Sequence, residues 1–345
     1  MSESIPSKMR VLELDNYHED FAKAVQCLHI AEKPTPQPGP GQVLIRMEVS
    51  PCNPSDMVFM QGLYGVKKPL PTVPGWEGAG TVVASGGGIM ANWLKGKRVA
   101  CGGQTQFDGT WAEYYVADTR GCVPLRKGIS FEQGASLIIN PLTAWALVET
   151  AKKYGHRGIV QTAAASQLGR MVLRLAKDSR IPLINIVRRK EQEDILKALG
   201  AESVINSESE DFEDQLREEC HRIKATIGFD AISGEMTGKV FNAMPERSTM
   251  IVYGVLAYAP AGGIDGGELI FGQKRIQGFW LTDWVRKAGL FRIFKASGQI
   301  QKRIANGSFV TKVRQKLKLE DVPKGLMAYQ KEMTAGKMLI LPKLS

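Results

Sequence analysis

Nowhere in its 345 residues does this chain hold an apolar run approaching the ~20 positions that a membrane-spanning helix needs, so no membrane partner is expected. Histidine is scarce: His18, His29, His156 and His221 lie in no motif and read as structural. Cysteine is sparse and odd in number. Cys27, Cys52, Cys101, Cys122 and Cys220 are widely spaced and form no CxxC, which argues against a disulfide framework or a four-thiolate zinc knot. The opening MSESIPSKMR lacks the apolar core of a secretory signal and the arginine richness of a transit peptide. A cytoplasmic location is the expectation that follows. Internal repeats and low-complexity tracts are absent as well.

What is present is an ordinary globular composition, 43% apolar and 23% charged, in a chain too long for one ordinary core. Two domains are expected. Net charge is +10, and its placement matters more than its size. From Arg286 to Ser345, fourteen Lys and Arg face only Glu320, Asp321 and Glu332, a surplus of +11. Such a segment suits an acidic partner, a phosphorylated ligand or simply solvated helix faces. Aromatics are not interleaved with the bases as a single-strand binder requires, so nucleic acid is not the expected partner.

The first third reads as β-rich. VLIRMEV (43–49), GAGTVVAS (78–85), GKRVACG (96–102) and TWAEYYVAD (110–118) are short strand candidates bounded by Gly or Pro, which suggests a rolled or barrel-like β domain. From about Ser130 the rhythm changes to alternating strands and helices. IVQT (159–162), LINIV (183–187), SVIN (203–206), FDAI (229–232) and TMIVYG (249–254) are separated by helical stretches, one closed by Gly200. The fold class expected is α/β, with a doubly wound parallel sheet and helices on both faces. KMLILP (337–342) returns to strand and rejoins the first domain. The expected boundaries are 1–128 with 308–345, and 129–307.

The first turn of the parallel sheet is TAAASQLGR (162–170). A dinucleotide fold wants G-x-G-x-x-G there, so that backbone can approach a pyrophosphate at a helix N-terminus. Here the three positions read Ala164, Ser166 and Gly169, a weak match rescued by its context between strand and amphipathic helix. One βαβ unit later the strand ends in IVRRKE. An NAD site places an acid there for the ribose 2′-hydroxyl; Arg188, Arg189 and Lys190 instead suit a 2′-phosphate. NADPH is the cofactor implied.

With these residues in view, the chain resembles the medium-chain dehydrogenase/reductases, through VPGWEGAGTVV, KGKRVA, FDGTWAEYYVAD, NPLTAW and KALGAESVIN in order. The resemblance implies a GroES-like catalytic domain joined to a Rossmann NADPH-binding domain. Zinc members carry a cysteine in C-x-x-D, which here aligns with Asn53-Pro54-Ser55-Asp56, and a histidine in G-H-E, which here is Trp76. Neither an amide nor an indole replaces those donors, so no metal is expected. Among zinc-free branches the closest resemblance is to mitochondrial-type trans-2-enoyl thioester reductases, through MQGLYG (60–65), NPLTAW (140–145) and GFWLTDW (278–284), with quinone oxidoreductases next. It implies Tyr64 as proton donor. For NADPH it implies Asn140, Ser166, Gln167, Leu168, Gly169, Arg188, Arg189, Lys190, Tyr253, Gly254, Val255, Leu256, Phe279, Trp280, Leu281 and Lys337. Asn53, Trp76 and Trp284 would line the substrate pocket, with Met57 and Met60 helping to shape it. Where that family carries S-G-V-G, this chain has Ser166-Gln167-Leu168-Gly169.

Conjugate reduction sends hydride to the β-carbon of an enoyl thioester or enone, and the charge that develops needs a donor and a proton. A tyrosine, with pKa ~10, still holds its proton at neutral pH. Two enzyme readings stay open: reduction of an activated C=C bond, or of a quinone or alkenal. A third is a cofactor-binding structural or regulatory protein with little catalysis. Enoyl substrates on coenzyme A or acyl carrier protein are anionic and would suit the basic C-terminal segment. By resemblance a homodimer is expected, joined through a sheet edge near 250–275.

Overall fold

The computed structural model describes residues 4–103, 108–331 and 333–343; Phe107 of the FDGTWAEYYVAD segment and Glu332 of the basic segment lie outside them. The chain forms two compact units, Met1–Ile139 with Leu290–Ser345, and Asn140–Gly289. The second unit, expected over 129–307, thus runs from Asn140 to Gly289. Helices Phe131–Ala135 and Leu290–Ala305 fall with the first unit. Gln301 explains the second case: its side chain accepts from Arg126 N–H (2.8 Å) and donates to the Pro124 carbonyl (3.2 Å).

The first unit is built on a seven-stranded sheet whose spine is Gln42–Pro51. That strand pairs antiparallel with Glu77–Ser85, Tyr114–Asp118 and Lys337–Ile340. Alternation explains its central place. Val43, Ile45 and Met47 enter one core with Val82, Val99 and Tyr115, while Leu44 enters another with Met57, Phe59 and Trp111. The C-terminal strand Lys337–Ile340 does rejoin this sheet, with Val313–Leu317 parallel beyond it. TWAEYYVAD is strand only over Tyr114–Asp118: Trp111 is fully buried and its backbone N–H donates to Pro74 O (3.1 Å) rather than to a neighbouring strand. A separate antiparallel pair, Lys8–Leu14 with Leu28–Pro34, went unread in the sequence. Lys8, Glu32 and Lys33 dilute its apolar alternation, since one face meets solvent.

The second unit holds six parallel strands in spatial order Ser203–Asn206, Leu183–Val187, Gly158–Gln161, Ala225–Asp230, Thr249–Val252, Arg275–Gly278. Numbered along the chain this is 3-2-1-4-5-6, the doubly wound dinucleotide order. Val160, Ile184, Ile186, Ile205 and Met250 bury against Phe212, Leu216, Val240 and Phe241 of the covering helices. Helix Lys190–Ala198 ends as expected: Gly200 takes φ +78° and Ala201 N–H reaches Leu196 O at 2.9 Å. The fourth strand stops at Asp230, two residues short of the sequence reading. The sixth, Arg275–Gly278, was not anticipated, because its polar composition is that of an exposed sheet edge.

Candidate active site

In the first unit, helix Pro54–Met60 leads into the loop that carries Tyr64. Tyr64 is half-buried, its ring centroid 5.0 Å from that of the Trp76 indole. Trp76 is held from several directions. Its indole N–H donates to Ser55 O (3.3 Å), its backbone N–H donates to Asp56 Oδ1 (3.0 Å), and Phe59 meets its ring edge-on at 5.1 Å. Lys68 Nζ lies 4.7 Å from the same indole centroid. The phenol of Tyr64 therefore rests on a rigid aromatic wall.

Asp56 joins that wall to a dry charged cluster. Its Oδ2 accepts from Asn53 N–H at 2.7 Å. The Asn53 amide donates to Glu77 Oε1 (3.0 Å), and Glu77 Oε2 accepts from Ile138 N–H (3.1 Å) and Ile139 N–H (2.9 Å). The Lys337 ammonium donates to Cys52 O (3.2 Å) and to Asn53 Oδ1. Burial pushes Asp56 up to about 7 and raises Glu77, in both cases against the pull of Lys337. Burial lowers Lys337 in turn, with Glu77 the largest opposing influence. The cation this cluster encloses is an ammonium. Among the described residues no three His, Cys, Asp or Glu converge to hold a metal ion.

The second unit presents the nucleotide turn. Ser166 caps helix Gln167–Asp178, its Oγ accepting from Gly169 N–H at 3.0 Å. A Cβ at Gly169 would lie 2.4 Å from Ala164 O, so the third glycine of the pattern is required for helix and strand to pack. Ala163 takes φ +48°, the left-handed conformation a glycine would adopt more freely. Asp230, fully buried at the end of the fourth strand, locks the turn. It accepts from Thr162 Oγ1 (2.7 Å), Thr237 Oγ1 (2.6 Å), Ile232 N–H (2.9 Å) and Ser233 N–H (3.2 Å). Gly254 follows the fifth strand, where a Cβ would meet Ala231 O at 2.6 Å. Beside it the Tyr253 hydroxyl is buried without a hydrogen-bond partner among the described residues, and burial pushes its pKa up, so it holds its proton.

At the carboxyl end of the second strand, Arg188 and Arg189 are exposed, and neither guanidinium has an ion pair among the described residues. Lys190 differs. Its ammonium is 2.8 Å from Asp194 Oδ1 and 3.5 Å from Glu193 Oε2, an intrahelical pairing that leaves the arginines as the cations on offer to a 2′-phosphate. Lys337, expected at the cofactor, instead turns its ammonium to buried protein acceptors. Asn53, expected to line the pocket, is likewise buried and engaged, and Met57 and Met60 are core residues. In the second unit Asn140, Phe279, Leu281, Leu256 and Trp284 are half-buried, while Val255 and Trp280 are exposed. Gln167 and Leu168, half-buried, form the first turn of the capped helix. Asp56, Glu77, Lys68 and Asp230 escaped the sequence reading. A carboxylate set inside an apolar run, as in GFDAIS, is the signal that points to Asp230.

A 3-2-1-4-5-6 parallel sheet with this phosphate turn, in one chain with a β-rich unit, defines a two-unit dinucleotide-binding oxidoreductase fold. Residues 39–127 match the alcohol dehydrogenase GroES-like domain, and residues 168–295 match the zinc-binding dehydrogenase family. Mouse (Mus musculus) mitochondrial enoyl-[acyl-carrier-protein] reductase is 31% identical over 294 residues, 81% of this chain and 74% of the relative. A protein of Mesorhizobium loti assigned as an NADPH:quinone reductase is 38% identical, with TM-score 0.89 over 98% of this chain and 100% of that one. The mitochondrial 2-enoyl thioester reductase heterodimer of Candida tropicalis shares the fold, with TM-score 0.80 at 21% identity over 97% of this chain and 99% of that one. The chain belongs to the medium-chain dehydrogenase/reductase superfamily and is an oxidoreductase. With Asn53 and Trp76 at the donor positions, it is of the zinc-free type.

Proposed function

We propose that the protein is an NADPH-dependent reductase that delivers hydride to an activated C=C bond, in a 2-enoyl thioester or an enone, with Tyr64 as proton donor. The observation that carries the reading is the Arg188–Arg189 pair, exposed and without ion pairs among the described residues, where an NAD site needs an acid. The residues fit the cofactor. Gly169 keeps the turn free of a side chain, Ser166 caps the helix that faces the pyrophosphate, and the two guanidinia suit the 2′-phosphate. The reduced nicotinamide supplies the hydride. Tyr64, fixed on the Trp76 indole, donates the proton that the α-carbon takes up. The 31% identity to an enoyl reductase supports the C=C substrate. The Mesorhizobium likeness favours a second reading, NADPH:quinone reduction on the same fold.

Coenzyme A or acyl carrier protein is the proposed substrate carrier. The proposed assembly is a homodimer through the edge strand Arg275–Gly278, beside which Ile270 and Phe271 are exposed. Calorimetric titration with NADPH and NADH, followed by turnover of crotonyl-CoA, an enone and a quinone, tests the reading. Tenfold or greater preference for NADPH with turnover of crotonyl-CoA supports it. Equal affinity for the two cofactors, or stoichiometric zinc by elemental analysis, overturns it, and turnover of the quinone alone selects the second reading.

A further inference from the structure

Around Trp76 the geometry points to a positioning residue for the proton donor. We propose that the Lys68 ammonium, held on the same indole as Tyr64, favours the phenolate that Tyr64 becomes on giving up its proton. The inference rests on the reading of Tyr64 as donor and adds the group that acts through it.

Lys68 lies four residues beyond Tyr64 and is only 6% exposed, a burial that lysine rarely accepts without partners. Its Nζ is 4.7 Å from the Trp76 ring centroid and 5.6 Å from that of Phe59. Since the Tyr64 ring centroid sits 5.0 Å from that of the same indole, the ammonium is within about 10 Å of the centre of the Tyr64 ring. The placement is not loose. Lys68 N–H donates to Tyr17 Oη (2.8 Å), and that hydroxyl donates back to Lys68 O (3.0 Å). Tyr17 is itself packed edge-on to Phe59 at 5.4 Å, with Lys67 Nζ 5.9 Å from its ring centroid. One tyrosine thus pins the backbone of the lysine whose head lies among two aromatic rings.

The charges acting on this ammonium come from two other elements. Asp56 lies on the helix Pro54–Met60, and Asp108 on the loop before Tyr114–Asp118. Asp108 is shared with Lys33 (2.8 Å), which also reaches Glu13 (3.1 Å). Burial outweighs both carboxylates and pulls Lys68 down to about 8. The positive charge is therefore present at neutral pH and lost on mild alkalinisation. At an effective dielectric of ~20, a unit charge about 10 Å away shifts a neighbour's ionisation by about one pH unit. No covalent or redox step is added: the proton still passes from the Tyr64 hydroxyl to the α-carbon.

Full-length wild type, Lys68→Met, Lys68→Arg and Tyr64→Phe decide the matter through two readouts. Without substrate, tyrosinate absorbance is titrated, and the Tyr64 contribution is taken as the difference on introducing Tyr64→Phe in each background. Because Lys68 is already neutral where a phenol titrates, Lys68→Met is expected to leave that contribution near the wild-type position, while Lys68→Arg, which stays charged, moves it down by about one pH unit. With NADPH and crotonyl-CoA, wild-type kcat should fall above about pH 8. Lys68→Met should lose about tenfold at pH 7 with KM little changed and no inflection near 8, and Lys68→Arg should restore turnover and carry it past pH 9. An unmoved Tyr64 titration in Lys68→Arg, or Lys68→Arg as impaired as Lys68→Met at pH 7, overturns the inference. Near-normal turnover in Tyr64→Phe sinks the donor reading instead, and the absorbance titration still decides the Lys68 coupling. Should Lys68→Met fail to fold, the alkaline limb of Lys68→Arg alone decides: a limb unchanged near pH 8 overturns it.

Discussion

A phenol on a rigid indole is a different object from a phenol on a free loop, and Tyr64 is the first kind. Its ring is set against Trp76, whose own N–H groups are committed to Ser55 and Asp56, so the hydroxyl samples few positions. Replacing Tyr64 with Phe keeps the ring and removes only the hydroxyl, and with it the proton. Turnover of crotonyl-CoA should drop about 10²-fold while the NADPH dissociation constant, read by fluorescence, stays within twofold. A variant that turns over at the wild-type rate excludes Tyr64 as the donor. The arginines make a complementary case. Charge-assisted hydrogen bonds contribute ~1.5–3 kcal/mol each, so Arg188→Ala and Arg189→Ala should each weaken NADPH binding about ten- to a hundredfold and leave NADH unchanged. Lys190→Ala should matter far less, since Asp194 and Glu193 already occupy its ammonium. An equal effect of all three would refute that division of labour.

Among the elements, helix Pro54–Met60 carries the clearest pH signature. Burial raises the Asp56 carboxyl from 3.8 to about 7, so the folded chain keeps a proton that the unfolded chain releases above about pH 4. Folding binds a proton across that window, and stability should fall as pH rises through it, by up to about 1.4 kcal/mol per unit. Glu77, raised by the same burial, acts in the same sense. Asp56→Asn removes the titration and one acceptor for Asn53 or Trp76 N–H. In urea unfolding it should be less stable than wild type at pH 5, with the gap closing towards pH 7. Parallel curves would rule out Asp56 as the titrating group. These elements also show how much was legible beforehand. LINIV and SVIN were placed to the residue: LINIV is buried along its whole length and apolar but for Asn185, whereas SVIN, a half-buried edge strand, is marked by its place in the alternation of strands and helices. The phosphate turn and the arginines were found because each has a fixed offset from such a strand. Arg275–Gly278 and the first antiparallel pair stayed hidden, since an edge writes a mixed pattern. The burial of Asn53 and Lys337 was illegible for a different reason: their partners are 284 residues apart, and no local periodicity encodes that meeting.

For the molecule as a whole the question is which of its charges a substrate would feel. The +11 surplus from Arg286 to Ser345 overstates the field. Lys337 is buried, Arg286 and Lys287 share Asp283, and Lys316 pairs with Glu132. Lys295, Lys302, Lys312, Lys318 and Lys324 remain exposed along the first unit's helix Leu290–Ala305, strand Val313–Leu317 and the segments after them. A residual field of that kind speeds the encounter with an anionic ligand and does little for a neutral one, and salt screens it over a Debye length of ~10 Å at 0.1 M. If the natural substrate is carried on coenzyme A or a phosphopantetheine protein, kcat/KM for crotonyl-CoA should fall several-fold between about 20 and 300 mM salt, while an uncharged enone of the same reacting unit keeps its value. The comparison isolates capture from chemistry, because both substrates meet the same Tyr64 and the same cofactor. A flat response for both would mean that these lysines serve solubility rather than substrate choice, and would shift the weight towards the neutral quinone.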